Sequence, residues 1–486
     1  MRMTLRLSAV ALAAVLLPDP APLQAQDTLT LGAVVERALE ESYQARAARA
    51  SRDGSRSRYS AFSAGLLPQL TLGGTVPSYN RRIIEVLQPD GSTVFRPQNQ
   101  TNSELTATLT QKLPLTGGNL FVSSSLARLS VSGTQGYRTW SSTPITIGLR
   151  QDVFRPNALA WDRREQPVAA EVAERQYREA REEIALEATG RFFDVYQAQV
   201  ELENAAKNVS VNDTLYTLNK GRFDVGKIGE NDLLQSELAL LRARTSLDAA
   251  RLSYDRALAS LRVLLNLRPG TPLAIVVPAQ VPEIAADTTR AVAEALRNSS
   301  TVSSTELQTV QARRRVTEAK LENGAGATVS ASYGFNATAS TFNDAYSNLL
   351  EARQFAVAVE VPLWRWGAGS QTVRAAEADR ERAQSNRELA RQEVAQDAHF
   401  AALQLAQARR NLELSAKSDT VATKRFEVAY NRYVIGRISI DVLYIAQAEK
   451  DQALAAVVQA LRGYWLAYYT LRRATLFDFE RGAALY

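Results

Sequence analysis

The chain has 486 residues, with 57 lysines and arginines against 51 aspartates and glutamates, one histidine and no cysteine. The missing cysteine excludes a disulfide framework, thiolate-bound zinc, a thiol nucleophile and a lipid anchor on cysteine. The formal charge of +6 is spread with both signs interleaved, as in residues 163–183, "RREQPVAAEVAERQYREAREE", so solvated helix faces are expected and no nucleic acid partner.

In chain order, residues 1–25 read as a secretory signal: Arg2 and Arg6, the apolar run "LSAVALAAVLL", and "LQA" before Gln26. That run is too short to span a bilayer stably. Removing it leaves a charge of +5 and no other long apolar segment, so an exported chain without a membrane-spanning helix is expected. An amphipathic helix follows, "LTLGAVVERALEESYQARAARASRDGSRSRYSAF". Residues of about 66–155 are then rich in glycine, serine, threonine and aromatics. Ile145, Ile147 and Leu149 alternate there with Thr146, Gly148 and Arg150. Segments of about ten residues with one apolar face suit strands of a transmembrane barrel. A soluble sandwich alternates too, but small and polar residues on the second face suit a wet lumen. Two alternating stretches flank "PLTGG", which reads either as an added hairpin, giving six strands in all, or as an extracellular loop.

A long helix is expected over 157–219. Ile184, Ala188, Phe192, Val195, Gln199, Leu202, Ala206 and Val209 step by three or four, the spacing of a coiled-coil seam. Next comes "GRFDVGKIGEND", which holds most of a phosphate-binding loop. That loop needs a hydroxyl after the lysine to hold magnesium, and Ile228 follows Lys227, so no nucleotide cofactor is expected. A returning helix is expected over 230–267.

The whole order then repeats. Residues 180–203 align without gaps to 390–413, with nine identities in 24, and 145–155 fall on 355–365 at the same offset of 210. Arg222, Phe223, Gly226, Ile228 and Leu233 meet Arg432, Tyr433, Gly436, Ile438 and Leu443. The reading is therefore a first structural repeat over 26–267, with its tip near 221–232, a linker over 268–290, and a second repeat over 291–486. The second has strands over about 326–364, a long helix over 367–430, a tip near 431–442 and a return over 440–475. The two glycines sit where a helix ends and must turn, as left-handed caps. His399, the sole histidine, lies in a helical run with no nucleophile elbow, so no enzyme is expected.

This order of elements resembles the TolC-like outer-membrane efflux protein family over nearly the whole mature chain. "LTLGAVVERALEESYQARAARA" is similar to the family's opening helix, and "LLPQLTLGG" to its first strand. "VEVPLWRWGAGS" is similar to its second strand exit. "RFDVGKIGENDLL" and "RYVIGRISIDVLYIAQ" are similar to its two tip motifs. The resemblance implies an α+β membrane protein in which barrel strands sit in the outer membrane and long antiparallel coiled-coil helices form a periplasmic tunnel. It further implies a homotrimer, contact with outer-membrane lipid, a periplasmic adaptor protein and an inner-membrane pump, with no metal or other cofactor. Val225, Gly226, Lys227, Ile435, Gly436 and Arg437 would be the adaptor-contact tips. Asp232, Asp441 and Arg437 would form the channel gate, although both aspartates also suit a helix N-terminus through its dipole. Asp232 lies six residues after its glycine, as the family has it, whereas Asp441 lies five after, and Tyr444 stands where some members have a second aspartate. The second half also lacks the proline of "LLPQL". The alternative function is a secreted or surface-attached coiled-coil structural protein.

Overall fold

The computed structural model describes residues 27–133, 136–278 and 281–485. The signal segment expected over 1–25 lies outside the described residues. The chain begins with strand β1 (Asp27–Thr30), helix α1 (Leu31–Glu41) and helix α2 (Tyr43–Ala64). Four strands follow: β2 (Gln69–Leu87), β3 (Thr93–Lys112), β4 (Asn119–Ser132) and β5 (Tyr137–Val153). Then come two long helices, α3 (Ala158–Asp224) and α4 (Glu230–Leu264), and a short strand β6 (Leu273–Val276). The second half has α5 (Thr288–Asn298), α6 (Ser300–Glu322), strands β7 (Gly326–Ala339) and β8 (Leu350–Glu360), and helices α7 (Ala368–Val434) and α8 (Ile440–Thr475).

Both halves thus run helix, strands, long helix, returning helix. Even their irregularities repeat. The opening helix of each half breaks once, at Ser42 and at Ser299, and each serine hydroxyl caps the next helix by accepting backbone N–H bonds, from Ala45 and from Thr301. Such caps satisfy N–H groups that a helix start leaves unpaired. At 1.5 Å per residue, the 67 residues of α3 and of α7 each reach about 100 Å.

The strands form one antiparallel six-stranded sheet in the order β2-β3-β4-β5-β7-β8. The stretch around "PLTGG" is the turn of the β3–β4 hairpin. It sits at the helical end of the sheet, so the added-hairpin reading holds and the loop reading does not. The side-chain amide of Asn157, the residue capping α3, donates to the carbonyls of Pro114 and Leu115, at 3.1 and 3.2 Å. Gln151 donates to Thr116 at 2.8 Å. On the same side, Phe121 lies across the sheet over Gly148, where any β-carbon would meet its ring at 2.2 Å.

The main core lies halfway along the helices. Ile184, Ala188, Phe192, Phe193 and Val195 of α3 pack there with Val34 and Ala38 of α1, Leu405 of α7, and Tyr464 and Leu471 of α8. The segment between the halves is bound to this waist. β6 pairs in parallel with β1, and Tyr464 donates its hydroxyl to the carbonyl of Pro282 at 2.5 Å.

The α3 seam follows the expected residues through Val195 and then shifts. Ala198 and Ala205 are buried, whereas Ala206 is exposed and Gln199 and Val209 are only partly covered. Further along, the buried positions are Asn212, Leu215 and Asn219. Counting apolar residues missed the shift because the true seam is partly asparagine.

Phe192 is fully buried at the waist. Phe192→Ala is expected to destabilise the protein by about 3–5 kcal/mol, read as a lowered denaturant midpoint in detergent; an unchanged midpoint would remove the waist from its place as the main core.

Candidate functional site

Two regions gather residues whose arrangement exceeds what folding needs: the sheet and the hairpin tips.

In an antiparallel sheet, directly paired residues share a face. The register therefore sorts every strand. Leu70 and Leu72 of β2 pair with Leu109 and Ala107 of β3, which pair with Val122 and Ser124 of β4. Leu120 and Val122 pair with Leu149 and Ile147 of β5, and these with Ala331 and Tyr333 of β7. Val329 and Ala331 pair with Val357 and Phe355 of β8. One face of all six strands is thus almost continuously apolar, and it is open: Leu70 and Leu72 are 74% exposed and Phe355 73%. The opposite face carries Thr71, Thr106, Thr108, Thr110, Ser123, Thr146, Thr328, Ser330 and Ser332. Three irregularities, at Thr75/Ser78, Ser123/Ser125 and Ser142/Ile145, shift the pairing along these strands.

The helical rim of the sheet is apolar as well. Leu67, Leu115, Phe154, Leu363, Trp364 and Trp366 lie where chain segments join the strands, and all are exposed. Exposed tryptophans and leucines beside a band of about nine residues fit an aromatic girdle at a lipid–water boundary. Among the described residues no helix is long and apolar enough to cross a membrane.

The tips are two copies of one cap. The N–H of Gly226 donates to the carbonyl of Phe223 and that of Lys227 to Arg222, both at 2.8 Å; Gly436 and Arg437 repeat this toward Tyr433 and Arg432, at 2.8 and 2.9 Å. Both glycines have positive φ, +71° and +75°. This six-to-one and five-to-two pair of bonds is the Schellman motif, which glycine favours because it carries no β-carbon. Nothing lies within 4 Å of where a β-carbon would project from either glycine. The glycines therefore serve the backbone, and their surroundings are open. Gly221, the first glycine of the phosphate-loop pattern, lies inside α3, so no such loop is built.

Val225, Gly226, Lys227, Ile435, Gly436 and Arg437 are all exposed. Asp232 lies in the first turn of α4 and Asp441 in that of α8. At the offset of 210, Asp441 occupies the position of Asn231, one residue earlier than Asp232. Its carboxylate accepts from the amide of Gln235 at 2.6 Å, and Arg437 has no ion pair among the described residues. The two tips are joined by residues that sequence reasoning did not single out as a site. Arg222 donates to the carbonyl of Val434 at 2.8 Å and lies over the Tyr433 ring. The Tyr433 hydroxyl donates to Asn219 at 2.6 Å, and both side chains are buried. Arg222 and Tyr433 already stood out in the repeat as partners of Arg432 and Phe223.

Above the tips, α3 and α8 meet along a polar seam. Asn204 and Asn208 donate to the Asp451 carboxylate at 2.9 and 2.7 Å, and Gln447 donates to Asn208 at 3.0 Å. Tyr444 is half-buried beside it, and that burial raises its hydroxyl pKa above the ordinary tyrosine value. The helices pack in the order α4-α3-α8-α7. The two outer ones keep exposed apolar stripes: Leu234, Leu238, Leu241 and Leu252 on α4, and Leu414, Val421 and Val428, seven residues apart, on α7.

Residues 119–267 match the family model described as outer membrane efflux protein. No curated protein is matched by the sequence. Among solved structures, the CmeC outer membrane channel of Campylobacter jejuni has a similar fold, at a TM-score of 0.67 and 15% identity over 93% of this chain and 86% of that one. The outer membrane protein VceC of Vibrio cholerae gives 0.63 and 14% over 92% and 95%. The open-state MtrE outer membrane channel of Neisseria gonorrhoeae gives 0.62 and 15% over 92% and 88%. The resemblance is thus supported on two counts: the family model over 119–267, which includes the first tip motif, and a fold shared with outer membrane channels over nine-tenths of the chain.

Tyr433→Phe is expected to leave Asn219 buried without its partner at a cost of about 1–3 kcal/mol. The readout is faster amide hydrogen exchange around residues 428–446 with unchanged exchange in the sheet. Equal protection in both proteins would mean that the bond does not hold the tips together.

Proposed function

We propose that this chain is the outer-membrane channel of a tripartite efflux or secretion system, passing substrates from an inner-membrane pump across the periplasm and the outer membrane. The observation that carries this reading is the register that brings the apolar residues of six strands onto one exposed face, with hydroxyl-bearing residues on the other. That division suits a wall between lipid and a wet lumen. A secreted coiled-coil structural protein would leave the same face in water, where so large an apolar patch promotes aggregation.

In this reading the channel is a homotrimer. The exposed stripe of α7 packs on that of α4 in the next copy. The same head-to-tail contact, repeated, closes a ring. Twelve long helices then surround a tunnel through the periplasm, and six tips converge at its far end. The adaptor docks on Val225, Gly226, Lys227, Ile435, Gly436 and Arg437, whose open surroundings leave both backbone and side chains within reach. Asp232, Asp441 and Arg437 form the gate. Copies of the two aspartates face one another across the axis, where like charges repel and bind cations. Arg437, without an ion pair among the described residues, would then meet Asp441 of a neighbouring copy.

Fractionation tests the localisation: the protein is expected in outer membranes after a carbonate wash, and as a trimer by light scattering in mild detergent. A soluble fraction or a monomer would overturn the channel reading. Gly436→Trp is expected to abolish export while leaving the trimer intact, because it alters the turn where the adaptor would sit. Asp441→Ala is expected to raise single-channel conductance and weaken cation block; wild-type conductance and block in both Asp232→Ala and Asp441→Ala would remove these residues from the gate.

A further inference from the structure

The two halves of the chain contribute unequal widths of sheet. In the second half, β7 and β8 are both attached directly to helices, α6 below β7 and α7 below β8. In the first half, α2 leads into β2 and β5 leads into α3, yet β3 and β4 lie between them. The added hairpin is therefore inside the sheet, not at its edge. β3 pairs along its length with β2 on one side, broken only by the bulge at Thr75/Ser78, and with β4 on the other, from Gln69↔Thr110 and Lys112↔Asn119 onward. It cannot be set aside without separating β2 from β5.

Its side chains also belong to the wall. Leu105 and Leu109 of β3, with Leu120, Val122 and Leu126 of β4, continue the apolar face, and Thr106, Thr108, Thr110, Ser123 and Ser125 continue the hydroxyl-bearing one. At the helical rim its turn is fixed by Asn157 and Gln151, and Gln111 donates to the carbonyl of Leu66 at 2.9 Å.

The two edges of the sheet, β2 and β8, have no partner among the described strands. Backbone groups on an edge in hydrocarbon must be paired. β2 runs away from the helical rim and β8 runs toward it, so β8 of one copy beside β2 of the next gives an antiparallel pair with apolar faces on the same side. We infer, on the basis of the trimeric channel proposed above, that three copies close an eighteen-stranded barrel through β8–β2 contacts, and that the β3–β4 hairpin is a device for widening the outer-membrane pore. With strands ~4.8 Å apart and tilted by ~40°, eighteen strands enclose a backbone diameter of about 36 Å, against about 24 Å for the twelve strands that would remain without β3 and β4. The added wall carries threonine and serine toward the lumen, so the extra width is water-filled.

The test uses the full-length trimer in lipid nanodiscs and the absence of native cysteine. Electron cryomicroscopy is expected to resolve eighteen strands, with β3 and β4 in the wall. Thr71→Cys with Thr108→Cys is expected to form a disulfide within one chain on oxidation, since these residues face each other across β2 and β3. Thr71→Cys combined in turn with Gln354→Cys, Ala356→Cys or Ala358→Cys is expected to give covalent trimers for the matching register. A membrane-inserted trimer with twelve strands, or with β3 outside the wall and no Thr71–Thr108 disulfide, overturns the widened pore and leaves the channel reading standing. A protein absent from the outer membrane, or a monomer there, overturns both.

Discussion

A peptide group facing hydrocarbon has no water to bond, so a strand in a bilayer must be paired on both sides. In the proposed channel the rest of this molecule is arranged around that requirement. Four strands of the sheet meet it within the chain, and β2 and β8 do not. One copy would therefore be incomplete in lipid. The helices repeat the pattern in a weaker form: α3 and α8 bury each other, while α4 and α7 keep apolar stripes on their outer sides. Sheet and helices are both left unfinished in one copy, and in the proposed channel head-to-tail association would complete both.

The helical layer divides its stability unevenly. At the waist, aromatic and aliphatic side chains from α1, α3, α7 and α8 fill a continuous core, and the segment between the halves is tied down beside it. Toward the tips the α3–α8 seam changes character. Asn204, Asn208, Gln447 and Asp451 hold it by hydrogen bonds, and only a small cluster around Leu215, Tyr433 and Leu443 is apolar. Polar seams gain little from being sheltered from water, since their groups bond nearly as well when hydrated. The tip end of the hairpins is thus held less firmly than the waist, and it is the end where a moving gate would need to open.

The tips show how a functional resemblance can rest on a backbone need. Gly226 and Gly436 recur because a 67-residue helix must stop and reverse, and a left-handed cap does so in two residues. The same repeat leaves open space around both turns. Arg222 and Tyr433 then bind one tip to the other, so two similar hairpins end in a single joined surface.

Much of this was legible in the sequence because it is periodic. The duplication at an offset of 210 located both long helices, both tips and both sets of strands, and the glycines marked the helix ends to within a few residues. Period-two alternation around Ile145, carried to 355–365 by the repeat, pointed to strands with one apolar face. What the sequence left open was decided by pairing. Alternation does not say which strand lies beside which, so "PLTGG" read almost as readily as a loop; only the register with β2, β4 and β5 makes it a hairpin turn at the helical rim. The seam beyond Val195 was misplaced by one residue because helix phase over many turns depends on the partner, and asparagines bonded to Asp451 and Tyr433 carry no apolar signal. Asp441 against Gln235, and Arg222 against Val434, join residues more than two hundred positions apart. Local pattern fixes the elements of this chain, whereas contacts between its two halves fix their register, because a hydrogen bond across a duplication leaves no trace in the spacing of either copy.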